Sequence, residues 1–117
     1  MNLNQKNAED LKSAANRVLE SASMPVGLLN LHILIPGCTS LKEKRSRLKP
    51  LLSRLHKEFN VSVAEMDLHD AWQEAVLVCA WVGNDKAHVQ RSLQKVTDWI
   101  EKFWPDVTLL DDRIEMI

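Results

Sequence analysis

Twice along this chain the hydrophobic period changes from two to about three and a half across a short turn. That repeated change restricts the fold more than any other feature. From Val26 to Ile35 the residues alternate, with Leu29, Leu31, Ile33 and Ile35 on one face and Leu28, Asn30, His32 and Leu34 on the other. The first face is the better core candidate. Pro36-Gly37 stops this strand and turns the chain. A helix then spans Leu41 to Phe59, with Leu41, Leu48, Leu51, Leu52, Leu55 and Phe59 forming one apolar stripe. Ser40 caps it, and Glu43 stands three residues on, where a capping box needs it. Pro50 interrupts the pattern and removes one N–H, so the spacing predicts a single helix bent near Arg47–Lys49.

The second change of period follows a hairpin. Asn60 to Asp67 reads as a short strand, Leu68-His69-Asp70-Ala71 as its connection, and Trp72 to Val82 as a long strand. The long strand is apolar on both faces (Ala75, Leu77, Cys79 and Trp81 against Val76, Val78, Ala80 and Val82). A strand of this kind is central, and the sheet face away from the helices must then be covered as well. Gly83-Asn84-Asp85 opens a helix that reaches Phe103, with Val89, Leu93, Val96, Ile100 and Phe103 as its stripe and Pro105 beyond its end. Val107 to Ile117 is the last strand, and its broken alternation at Leu110-Asp111-Asp112 predicts a bulge. The order β-α-β-β-α-β, with right-handed crossovers, gives an α+β ferredoxin-like sandwich. Its four-stranded antiparallel sheet has the order 4-1-3-2, and both helices lie on one face.

Ahead of this domain, Asn7 to Ser21 reads as an extra helix. Asn7 is its cap, Ala8, Leu11, Ala15, Val18 and Ala22 form a weak stripe, and Ser23-Met24-Pro25 ends it. The expected division is a helical extension over 1–25 and a domain over 26–117. The extension is expected to dock on the domain or on a partner subunit.

Hydrophobic residues make up 45% of the chain and charged residues 26%, the balance of a soluble globular protein. No apolar run approaches the roughly 20 residues that a membrane span needs. The first residues lack the apolar region of a secretory signal, so a cytoplasmic protein without membrane contact is expected. Cys38 and Cys79 are expected as free thiols, Cys38 partly exposed in its turn and Cys79 inert in the core.

Net charge is only −1, but it is unevenly spread. Residues 41–59 carry seven basic and two acidic groups, whereas residues 60–117 carry five basic and eleven acidic ones. Such a dipolar chain says something about partners and steering rather than about fold.

Several segments carry a resemblance: Pro36-Gly37-Cys38-Thr39-Ser40-Leu41-Lys42-Glu43-Lys44-Arg45, Phe59-Asn60-Val61-Ser62-Val63-Ala64-Glu65, Asp70-Ala71-Trp72-Gln73 and Asn84-Asp85. Together they resemble the YlxP-like family of small bacterial proteins of unknown function, over residues 26–117. The resemblance implies the same ferredoxin-like fold. Members of that family are often encoded near translation and ribosome-maturation factors, which implies RNA or ribosome association. It supplies no catalytic residue.

The candidate site is the start of the basic helix: Ser40, Lys42, Lys44, Arg45, Arg47 and Lys49. Free N–H groups and the helix dipole favour an anion there, and the side chains add positive charge. At about 100° per residue, Lys44 and Arg45 flank the stripe on opposite sides. Lys42 and Lys49 share one flank and Arg47 and Arg54 another, so the charges ring the helix. RNA-binding folds of this topology stack bases on aromatic residues of the first and third strands. Here the first strand has none and the third lacks the Gly-aromatic pattern, so phosphate contact from the helix side is expected, with low sequence specificity. Glu65, Asp67, His69, Asp70 and Glu74 crowd the hairpin, but their spacing matches no metal motif, and a solvated acidic turn is expected. Trp72 and Trp99 are expected in hairpin or core packing. No Gly-rich phosphate loop, nucleophile elbow or zinc ligand set is present, so neither enzyme chemistry nor a cofactor is expected. Two readings follow. One is an accessory protein contacting ribosomal RNA or a ribosomal particle. The other is a homo-oligomeric protein-interaction module with no nucleic-acid role, for which a homodimer through the open sheet face or the N-terminal helix is one form.

Overall fold

A computed structural model describes residues 3–20 and 25–117, with side chains over 7–17 and from 25 onward. The elements are α1 (Leu3–Glu20), β1 (Val26–Leu34), α2 (Leu41–Glu58), β2 (Ser62–Asp67), β3 (Glu74–Val82), α3 (Lys86–Phe103) and β4 (Thr108–Met116). α1 begins four residues before Asn7, the expected cap, because Leu3-Asn4-Gln5-Lys6 holds no Gly or Pro to stop it. Ser21 to Met24, which include Ala22 of the expected stripe and most of the expected stop signal, lie outside the described residues.

The sheet order is β2-β3-β1-β4 with antiparallel neighbours, which is the order 4-1-3-2 expected from the sequence. β1 lies in the centre. His32 pairs with Asp111 and Ile33 with Leu109, so Leu110 is the extra residue of a bulge in the expected segment. A second bulge was not legible: Glu65 pairs with Leu77 and Asp67 with Val76, leaving Met66 unmatched.

The core forms where the first face of β1 meets the helices. Leu29, Leu31, Ile33 and Ile35 are fully buried, with Ala75, Leu77 and Cys79 of β3, Leu48, Leu51 and Leu55 of α2, and Val89, Leu93, Val96 and Ile100 of α3. Each such aliphatic side chain contributes about 1.5–3 kcal/mol by leaving water. α3 can lie close over β1 because Gly27 has no side chain; a Cβ there would come within 2.6 Å of Leu93 Cδ1. Phe59, Trp99, Phe103 and Trp104 join the two helices, with Phe59 and Trp99 edge to face and Trp99 stacked on Trp104.

α2 runs unbroken through Pro50. Pro50 and Ser46 are both exposed, so the carbonyl that Pro50 leaves without an N–H lies on the solvent side, where water serves it. The start of α2 also follows the sequence. Ser40 Oγ accepts from Glu43 N at 3.0 Å, and Gly37 takes φ +70 in the preceding turn, which favours glycine.

Candidate functional site

The basic residues of α2 divide into those the fold uses and those it leaves free. Lys44 belongs to the first group. The sequence places it on a flank of the apolar stripe as an anion-binding charge, yet it is 2% exposed. Its spacing explains why: Lys44, Leu48, Leu51 and Leu55 recur at +4, +7 and +11 and form the buried face of the helix. Its Nζ sits 2.7 Å from Glu65 Oε2 and donates to the carbonyls of Leu68 and Ala71, both at 2.8 Å. Glu65 projects from the helix side of β2, beside Val63, so two opposite charges enter the core layer as a pair. Leu68, at φ 61, turns the loop that presents these carbonyls.

Arg47 is also engaged. Its Nε and Nη2 donate to the two carboxylate oxygens of Asp106 at 3.0 and 2.9 Å, and its Nη1 donates to the carbonyl of Pro36 at 2.7 Å. The Asp106 hydrogen bonds raise its pKa above an already high value. Arg54 pairs with Glu58 at 3.0 Å and lies 5.8 Å from the centre of the Trp99 ring. This flank of α2 therefore serves the packing of α2 against α3 and the segment after it.

Lys42, Arg45, Lys49 and Lys57 are exposed, and among the described residues none of them forms an ion pair. Lys42, Arg45 and Lys49 stand at i, i+3 and i+7, one flank of a helix over a rise of about 10 Å. The ring of charge expected from the sequence thus reduces to a row, because the fold neutralises the members on the other flank. Beneath the row, Arg45, Leu48, Lys49, Leu52 and Glu65 line a shallow groove of ≈ 240 Å³.

The helix start itself is poorer in anion-binding capacity than expected. The Glu43 carboxylate accepts from Thr39 N at 2.7 Å and Thr39 Oγ1 at 3.0 Å. The Thr39 backbone N–H, then its hydroxyl, hold the Glu43 carboxyl below its ordinary value of 4.5. Ser40 acts as the cap of α2. A negative side chain therefore already occupies the positive end of the dipole.

The hairpin acids do not gather. Glu65 faces Lys44, Asp67 accepts from Leu68 N, and Glu74 pairs with His32 on the opposite side of the sheet at 2.9 Å. Among the described residues, no three His, Cys, Asp or Glu cluster in a way that holds a metal ion. Trp72, expected in packing, is 52% exposed on the β2–β3 loop. That loop is fixed by the Lys44 bonds and by Ile35 N donating to Gln73 O at 2.7 Å. Trp72 therefore stands at the end of the domain where α2 begins. Cys38, expected partly exposed, is fully buried, and its Sγ donates to the carbonyl of Ser40. Burial pushes the Cys79 thiol up to about 12.

Charge also sorts by layer. α2 carries seven basic and two acidic residues and α3 four and two, so the helix layer is net +7. Residues 60–85 and 104–117 carry nine acidic residues and one basic. The sequence blocks concealed this because α3 lies inside the acidic half of the chain.

No helix among the described residues is long and apolar enough to cross a membrane. The segments Pro36–Arg45, Phe59–Glu65 and Asp70–Gln73 converge on the Lys44–Glu65 pair and its loop. They are also the segments that carry the family resemblance. The chain is 33% identical over 90 residues to the uncharacterized protein YlxP of Bacillus subtilis (strain 168), covering 77% of this chain and 97% of that one. The family model described as a protein of unknown function (DUF503) matches residues 26–114, which begins at the first residue of β1. The chain belongs to this family.

Proposed function

We propose that this protein is a non-enzymatic cytoplasmic accessory factor that contacts ribosomal RNA or a ribosomal particle through the free flank of α2. The observation that carries this reading is the row Lys42, Arg45 and Lys49: exposed cations, without ion pairs among the described residues, on a helix layer of net positive charge. Cations that the fold does not consume are available to displace counterions from phosphates. Neither sheet face offers Phe, Tyr or Trp on β1, and the charged rim of the open face is net acidic, so the helix layer is the side that suits a polyanion. Trp72 adds one exposed aromatic ring at the end where the row begins. Contacts of this kind track the backbone, and low sequence specificity follows.

Co-sedimentation with purified ribosomal particles tests the reading. The wild-type chain is expected in the particle fraction at low salt. A variant with Lys42, Arg45 and Lys49 all changed to Gln, folded by circular dichroism, is expected in the supernatant. Equal co-sedimentation of both would refute the row as the contact. The second reading, a homo-oligomeric interaction module with no nucleic-acid role, is favoured by a different surface, the apolar centre of the open sheet face.

A further inference from the structure

We infer that the sheet face turned away from the helices docks a second copy of this chain, giving a two-fold dimer with both helix layers outward. Cross-strand pairs define that face: Val26 with Val82, Leu28 with Ala80, Asn30 with Val78, His32 with Val76 and Leu34 with Glu74. Ala64 of β2 extends it beside Val78. Nothing in the described part of the chain lies over it, and Val82 is 62% exposed. A face that presents Val26, Leu28, Leu34, Val76, Val78 and Val82 around Asn30 and His32 is not one that a solitary domain leaves wet.

Three observations point to a second copy as the occupant. The first is area. Three strands of nine residues and β2 of six, at about 4.8 Å spacing and about 3.3 Å per residue, give roughly 520 Å² per copy, or about 1,050 Å² in all. That clears the roughly 1,000 Å² a specific interface needs. The second is charge. The rim on β4 alternates in sign, with Asp111, Arg113 and Glu115 opposite His32, Asn30 and Leu28. Such a row complements its two-fold copy when the axis falls between Asp111 and Arg113, so that each Arg113, 2.7 Å from its own Glu115, also meets Asp111 of the other copy. A nucleic acid is disfavoured, because Glu74, Asp111 and Glu115 outnumber Arg113, no Phe, Tyr or Trp lies among these pairs, and His32 is engaged by Glu74 at 2.9 Å. The third is width. The stripe of α1 holds one leucine, Leu11, 70% exposed, and one valine, Val18, among alanines. A helix about 10 Å across covers half of a four-stranded face and leaves the rest exposed.

The test is the mass of the full chain by light scattering at micromolar concentrations, for the wild type and the variants Val78→Arg, Val82→Arg and Leu11→Glu. The wild type is expected at twice 13.4 kDa. Val78→Arg and Val82→Arg place an unpaired charge in the interface and are expected to weaken the dimer about 100-fold or more, leaving folded monomers by circular dichroism. Val82 lies at a strand end and is already exposed, so it decides the matter if Val78→Arg fails to fold. Leu11→Glu is expected to leave the dimer intact. A monomeric wild type, a folded arginine variant that remains dimeric, or a dimer lost only in Leu11→Glu would each overturn the inference.

Discussion

Replacing Lys44 by Met keeps most of the buried aliphatic stem and removes the charge. Glu65 Oε2 then loses its ion-pair partner, at 2.7 Å, and the carbonyls of Leu68 and Ala71 lose their donor, at 2.8 Å. Breaking a buried pair from one side costs about 3–5 kcal/mol, because the remaining charge stays in the core uncompensated. Summing charged hydrogen bonds at about 1.5–3 kcal/mol each leads to the same range or above it. The Glu65 side chain retains 21% exposure, which admits some water and favours the low end. Urea denaturation should therefore show a loss of about 3 kcal/mol at unchanged m-value. At about 4 °C per kcal/mol for a domain of this size, the melting temperature falls by roughly 12 °C. The double variant Lys44→Met with Glu65→Leu should recover much of the loss, since an apolar pair of similar volume fits where the ion pair was. A loss under about 1 kcal/mol, the value of an exposed pair, would refute the reasoning. So would strictly additive single variants.

Three further outcomes follow from the same geometry. The Glu43 carboxyl is held below 4.5 in the folded state, so its contribution is complete above that value and vanishes as pH falls through the lowered pKa. The melting-temperature difference between wild type and Glu43→Gln should accordingly close on acidification, and a difference that persists in strong acid contradicts this assignment. Trp72→Ala should leave stability nearly unchanged and weaken binding to single-stranded ribosomal RNA fragments by about 1–3 kcal/mol in fluorescence titrations; an unchanged affinity removes Trp72 from the contact. Both cysteines are fully buried, so a thiol reagent should label neither in the native protein and both after denaturation, whereas fast native labelling of Cys38 would place its turn open to solvent.

The fold was legible because each element carries its own period and its own punctuation. The alternation of β1, the Ser40 cap, the helix start at Gly83-Asn84-Asp85 and the break at Leu110 each specify one local structure, and the topology rules leave one arrangement of them. The site was less legible because charge on a helix says nothing about its partner. Arg47 finds Asp106 fifty-nine residues away, and Lys44 reaches a loop on the far side of β2. One signal of the buried pair does lie in the sequence. Lys44 holds a position in the +4, +7, +11 series that the stripe reserves for an apolar side chain, and Glu65 holds the matching position between Val63 and the hairpin. Two charges on two core-facing positions predict each other. The exposure of Trp72 had no such signal, since it depends on bonds made by backbone atoms of the loop.

The separation of α2 into a structural flank and a free flank is tested most directly by the salt dependence of ribosomal RNA binding. Wild type would be compared with two charge-matched folded variants: Lys42, Arg45 and Lys49 to Gln on α2, and Arg91, Lys95 and Lys102 to Gln on the exposed face of α3. Three phosphate contacts give a log–log slope of about −2 on single strands and about −3 on a duplex. The account predicts that the α2 variant loses that slope and the α3 variant keeps it. Equal losses in both variants, or no binding by the wild type at the lowest salt, would contradict it.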